Sequence, residues 1–175
     1  SAASDVYKRQ MYHNGGVAYV NCGNAESLQL TKAITVASWI IIPTGVGVQH
    51  IISKYDANSG NRAWALSSDR FAVMENKNTY NSDTVAISSA GDLSDACLHF
   101  VMGVWESGEP PMIFVDNQLT GIASEAVTDM DIVDVDVYVA RLQTTYSNIY
   151  IGDLFLFSKA LNEAERTILY ELTSP

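Results

Sequence analysis

Residues 34–43 read Ile-Thr-Val-Ala-Ser-Trp-Ile-Ile-Ile-Pro. In an extended chain successive side chains point to opposite faces, so Thr35, Ala37, Trp39 and Ile41 share one side and Ile34, Val36, Ser38, Ile40 and Ile42 the other. The run suits a buried strand. Pro43, with no N–H for a ladder, ends it. The longest apolar run, Val36–Pro43, is far short of the ~20 residues a membrane helix needs.

The same texture recurs along the chain. Strands are expected over 16–21, 35–43, 48–55, 63–67, 70–75, 84–88, 98–106, 111–115, 135–140 and 148–157, each rich in β-branched and aromatic residues. The breaks are turn-formers: Pro43-Thr-Gly, Ala57-Asn-Ser-Gly-Asn, Glu75-Asn-Lys-Asn and Glu106-Ser-Gly-Glu-Pro-Pro. Asp116-Asn117, between two apolar runs, predicts a tight hairpin with both residues at positive φ. One helix is expected near the C-terminus. Asn162 is the N-cap and Glu165 completes a capping box, followed by an apolar stripe of Ala164, Ile168, Leu169 and Leu172. Many short strands at this spacing, with one terminal helix, define an all-β, two-sheet antiparallel sandwich.

Composition narrows the partners. The chain has 175 residues, enough for one sandwich with its own core. Its net charge of −10 argues against nucleic acid and against anionic membrane surfaces. Residues 1–10, SAASDVYKRQ, resemble a cloning junction and are set aside; residues 11–175 read as one domain, and a missing signal peptide carries little weight. Cys22 and Cys97 do not make a disulfide framework. They read as small buried hydrophobes, with a single disulfide as the alternative.

Four segments, in order, resemble the laminin-G-like family of concanavalin A-like jelly-roll domains. Residues 16–45, GVAYVNCGNAESLQLTKAITVASWIIIPTG, resemble its opening strands, and His50–Asp56, HIISKYD, its "iisKyd" strand. Residues 98–121, LHFVMGVWESGEPPMIFVDNQLTG, resemble its central hairpin. Residues 149–172, IYIGDLFLFSKALNEAERTILYEL, resemble its closing strand and helix. Leu98 stands where the family has tryptophan, Asn117 where it has glycine, and Gly152-Asp153 where it has Asp-Glu. The resemblance implies a lectin-like jelly roll, a glycan or surface protein as partner, and an extracellular, cell-surface or virion-surface setting. The last departure weighs against the structural calcium of this fold, although Ca2+ held by Asp129, Asp131 and Asp153 remains a candidate.

The residues themselves leave the site open. Polar loops carrying one aromatic each are the expected binding positions, since flat rings stack on sugars. They nominate Tyr55, Asp56, Arg62 and Trp64, then Tyr80, then Arg141 and Tyr146. Core packing is the competing reading for each aromatic. The run Asp129-Met-Asp131-Ile-Val-Asp134-Val-Asp136 copies the spacing of a sandwich-fold glucanase strand but not its glutamates. Catalysis through Asp129 and Asp134 is the least favoured reading; clustered oxygens for Ca2+, or an edge strand with Ile132, Val135 and Val137 turned inward, are the others. His13, His50 and His99 are unpaired in sequence, and His99 reads as a packing residue. No nucleophile elbow or phosphate loop occurs. The expectation is a glycan-binding module without catalysis, or a structural or protein-interaction domain of a viral or cell-surface assembly.

Overall fold

The computed structural model describes residues 11–14, 18–74 and 83–174. The strands are β1 (Met11–Asn14), β2 (Val20–Asn21), β3 (Ala33–Ile41), β4 (His50–Asp56), β5 (Asn61–Ser67), β6 (Arg70–Met74) and β7 (Asp83–Ile87). Then follow β8 (Leu98–Glu106), β9 (Met112–Val115), β10 (Gln118–Ile122), β11 (Tyr138–Val139), β12 (Arg141–Leu142), β13 (Thr145–Tyr146), β14 (Asn148–Phe157) and the helix α1 (Glu163–Thr173). One six-stranded sheet has the order β1-β14-β3-β8-β9-β10 and the other β2-β11-β4-β5-β6-β7; β12 and β13 form a separate hairpin. The paired strands are antiparallel.

The period-two pattern sorts side chains between a shared core and two outer faces. Ile34, Val36, Ile40, Val101 and Trp105 of the first sheet meet Trp64, Leu66, Phe71 and Val73 of the second, all essentially buried. The sheets pack tightly at Gly103, where an added Cβ would lie 2.5 Å from the Phe71 ring. No larger residue fits there.

On the outer face of the first sheet Trp39, Phe100, Met102 and Phe114 form a second cluster covered by Leu169 and Tyr170. Tyr170 stacks on Trp39 with centroids 5.4 Å apart, and the Trp39 indole N–H donates to Thr173 Oγ1 at 2.9 Å. The helix starts as expected: Asn162 Oδ1 accepts from the Glu165 N–H at 3.1 Å and Glu165 Oε2 from the Asn162 N–H at 3.0 Å. Its buried side does not follow the expected stripe. Only Leu169 of the four packs inward, while Ile168 is 55% and Leu172 80% exposed. The aromatic floor of Trp39 and Phe100 turns the face bearing Tyr170 and Thr173 downward instead.

β8 and β14 match their expected bounds, and Asp116 and Asn117 take φ of 50° and 62° in the β9–β10 turn. Other expectations need correction. Cys22 and Cys97 are free thiols and exposed. Residues 129–137 form no edge strand; the run is irregular, with Met130, Val133 and Val137 buried and Ile132 64% exposed. His99 is not a packing residue. Its Nδ1 lies 2.9 Å from Asp116 Oδ2 and its Nε2 3.3 Å from Asp95 Oδ1, so it ties the 95–97 loop to the β9–β10 turn.

Candidate ligand-binding site

The β12–β13 hairpin organises the candidate site. Ala140 leaves β11 at φ 59°, a left-handed conformation that costs alanine roughly 1 kcal/mol. It is held by its own N–H on the Ile51 carbonyl at 2.8 Å and by the Ser147 N–H on its carbonyl at 3.0 Å. This bend, with Gln143 at φ 53°, folds the hairpin back over the second sheet. Ser53 pairs with Ala65 across β4–β5, on the side away from the core, and its hydroxyl donates to the Arg141 carbonyl at 2.7 Å. The hairpin therefore lies against that outer face.

There Arg141 meets three tyrosines. Its guanidinium carbon is 4.4 Å from the centroid of Tyr138, 4.6 Å from Tyr19 and 5.7 Å from Tyr146, and its Nε–H donates to the Gln143 carbonyl. Tyr19 touches both other rings, with centroids 5.7 and 5.8 Å apart. Cation–π contact with several faces fixes a side chain that is ordinarily mobile. Beside it opens a notch of about 120 Å³ lined by Tyr55, Asp56, Asn58, Tyr138, Arg141 and Gln143. Burial pushes the Asp56 carboxyl up, but hydrogen bonds from Ser59, the Asn58 and Ser59 backbone and Gln143 outweigh this and hold it below the usual carboxylate range. Burial and then the charge of Asp136 raise the Tyr138 phenol, so it stays neutral. The notch offers a fixed carboxylate acceptor, a fixed guanidinium donor, amide groups and aromatic walls.

The far wall is set from beneath. Lys54 is 1% exposed; its ammonium donates to the Val135 carbonyl at 2.7 Å and to Asn24 Oδ1. Asn24 in turn donates to Asp134 Oδ1 at 3.1 Å, and Asn21 donates to Asp136 Oδ2 at 2.8 Å. Burial lowers the amine's proton affinity, while Asp136 and Asp134 oppose that. A buried cation thus anchors the segment between Val133 and Tyr138.

Of the nominated residues, Tyr55, Asp56, Arg141 and Tyr146 come together here. Arg62 is 3% exposed; it sits under the Tyr55 ring at 5.9 Å and donates to the Ala57 carbonyl at 3.4 Å, supporting the loop from behind. Trp64 is 0% exposed, so it cannot stack on a ligand and belongs to the core. Tyr80 lies outside the described residues. Tyr19, Tyr138, Asn58 and Gln143 were not singled out from sequence. Only the lateral pairing of β2 and β11, which sets Tyr138 opposite Asn21, brings Tyr19 and Tyr138 together.

The acidic residues do not form a centre. Asp129 is ion-paired with Lys32 and Asp134 accepts from Asn24. Asp153 is exposed, at the bulge of β14 between Ile151 and Leu154. Among the described residues no three His, Cys, Asp or Glu side chains converge as metal ligands, so Asp129, Asp131 and Asp153 are not brought together as a calcium site.

Two six-stranded antiparallel sheets packed over a shared core define a β-sandwich of the jelly-roll type. The model of the concanavalin A-like lectin/glucanases superfamily matches residues 14–165, and the chain belongs to that superfamily, as a laminin-G-like member. No curated protein matches. Among solved structures, the binding domain of botulinum neurotoxin DC in complex with rat synaptotagmin II is similar at a TM-score of 0.69 and 18% identity, over 94% of this chain and 42% of that one. The receptor binding domain of the neurotoxin C/D mosaic serotype is similar at 0.71 and 14%, over 95% and 43%. Botulinum neurotoxin type C, whose cell entry depends upon interaction with two ganglioside molecules, is similar at 0.68 and 16%, over 95% and 42%. Identities this low show the fold. The chain spans less than half the length of each of these structures.

Proposed function

We propose that this domain is a carbohydrate-binding module that acts without catalysis within an extracellular or surface protein. The observation that carries the reading is Arg141 clasped by Tyr19, Tyr138 and Tyr146 beside the carboxylate of Asp56. Sugars are bound by pairing a flat apolar ring face with hydroxyl groups that need fixed donors and acceptors. Tyr55 and Tyr138 line the notch with Asp56 and Arg141, Tyr19 and Tyr146 hold Arg141 from beside it, and the rigidity of the group lowers the ordering cost of binding. The glycan- and receptor-binding structures with the same fold are consistent with that use. Affinity at one shallow notch is expected to be weak and raised by multivalent display.

The test is a glycan array followed by calorimetry on any sugar that binds, comparing the wild type with Tyr146→Ala and Arg141→Ala. Loss of binding in both variants, with intact melting, supports the reading. An empty array sinks it. A protein-receptor or structural role, which the synaptotagmin-bound relative favours, would then be pursued by light scattering and pull-down with candidate receptors.

A further inference from the structure

A second depression adjoins the notch on the same outer face. It has a volume of about 370 Å³, within the size range of small-ligand sites. Its composition is the opposite of the notch's. Ala65 of β5 and Ala72 of β6 are directly paired across the strands and form its floor, so no side chain longer than a methyl fills the centre. Met74, Val85 and Leu142 line it around them. The alternate residues Trp64, Leu66, Phe71 and Val73 point into the core, so the trough is a true outer surface. Its polar members are neutralised or engaged. Arg70 is ion-paired with Asp69 at 2.7 Å, and His50 Nδ1 lies 2.9 Å from Ser67 Oγ. Burial, outweighing the charge of Asp69, keeps His50 below its ordinary pKa and so uncharged.

The two depressions are adjacent. Tyr55 lines both, and Arg141 of the notch is followed by Leu142 of the trough. A polar, aromatic notch therefore opens beside a mainly aliphatic trough with the Arg70–Asp69 ion pair at its edge, and one ligand can occupy both only if it is amphiphilic in the same order. We propose that the ligand is a glycoconjugate with an apolar aglycone: the sugar sits in the Tyr55–Arg141 notch and an alkyl or acyl chain lies along Ala65, Ala72 and Leu142. This rests on the glycan reading of the notch and adds the chemical class of the sugar's substituent.

The experiment compares the methyl and octyl glycosides of the sugar selected on the array, both below the micelle concentration, by calorimetry on the full chain. A fully buried methylene tightens binding roughly fourfold; with one side of the trough open, about twofold per methylene is expected. Octyl should thus bind on the order of 100-fold tighter than methyl if the whole chain lies in the trough, and ~10-fold tighter if about half of it does. Ala72→Phe, which fills the floor, and Leu142→Asp, which charges the wall, should each bring the octyl-to-methyl ratio to about one. Two variants are used so that a folding defect in one does not decide the result. A ratio near one in the wild type overturns this inference and leaves the glycan reading standing. A high ratio unmoved by either variant also overturns it, since the chain then binds elsewhere. If no sugar binds at all, the glycan reading and this inference fall together.

Discussion

Lys54→Met tests whether a buried cation builds the site. The side chain lies in the core-facing row of β4, opposite Trp64, and is 1% exposed. Methionine keeps most of its length and apolar volume but removes the ammonium. The Val135 carbonyl then loses its 2.7 Å donor. Asn24 Oδ1 keeps only the donor from Gln29 Nε2 at 2.7 Å, and Asp134 and Asp136 lose a neighbouring positive charge. An unsatisfied buried acceptor costs about 1–3 kcal/mol, and removing one member of a buried charged group about 3–5 kcal/mol. Methionine's packing returns part of this, and Asp134 and Asp136 reach solvent, so a net loss of about 2–4 kcal/mol is expected. In a domain of this size that is a fall in melting temperature of about 5–15 °C. Thermal melts followed by circular dichroism would read it. The substitution should also loosen the Val135–Tyr138 wall and weaken sugar binding under conditions where the variant is still folded. A variant that melts within about 1 °C of wild type and binds as tightly would refute the account of Lys54 as the anchor.

Other substitutions separate core from site. Trp64→Ala should cost about 3–5 kcal/mol because a fully buried indole leaves a cavity, whereas Tyr146→Ala, on the surface, should cost under ~1 kcal/mol yet abolish sugar binding in calorimetry. His99 gives a pH signature. Burial lowers its pKa, but hydrogen bonds and charges from Asp116 and then Asp95 outweigh that and raise it above its ordinary value. Its contribution to stability is therefore complete below about pH 6.5 and lost as pH rises through the folded-state pKa; melting curves across this range should show the decline in wild type and a flatter profile in His99→Gln. Chelator should leave the melting temperature unchanged, because Lys32 and Asn24 engage Asp129 and Asp134 and no three acidic side chains converge among the described residues; a drop of several degrees would reveal a bound cation by linkage.

The fold was largely legible because its signals are local. Alternation in 34–42 and 148–157, the Asp116-Asn117 turn and the Asn162–Glu165 cap are each read within a few residues, and each appears in the structure. Failures came where tertiary contacts decide. The helix turned its Tyr170 side inward because an aromatic floor was waiting on β3 and β8. The 129–137 run is irregular because side-chain donors of Lys54, Asn24 and Asn21 hold its residues 134–136, and backbone pairing alongside β2 begins only at Val137. The candidate site was half legible. Loop composition pointed to Tyr55, Asp56, Arg141 and Tyr146, but Trp64 alternates into the core, and Tyr19 and Tyr138 are more than 100 residues apart until β2 and β11 pair. Lys54 entered the sequence reading only as the lysine of the family-like HIISKYD strand; its burial was not legible, because a lysine in mid-strand is ordinarily solvent-facing.

The most direct test of the central claim is sugar binding by wild type and Arg141→Ala, measured by calorimetry on the same sugar and paired with melting curves. Arg141 is half-exposed and held by aromatic contacts rather than by core packing, so its loss should shift the melting temperature by no more than about 2–4 °C. Binding should weaken at least ~10-fold, the loss expected for one fixed charged donor. Equal binding by the two proteins, or no glycan binding by the wild type, would contradict the account.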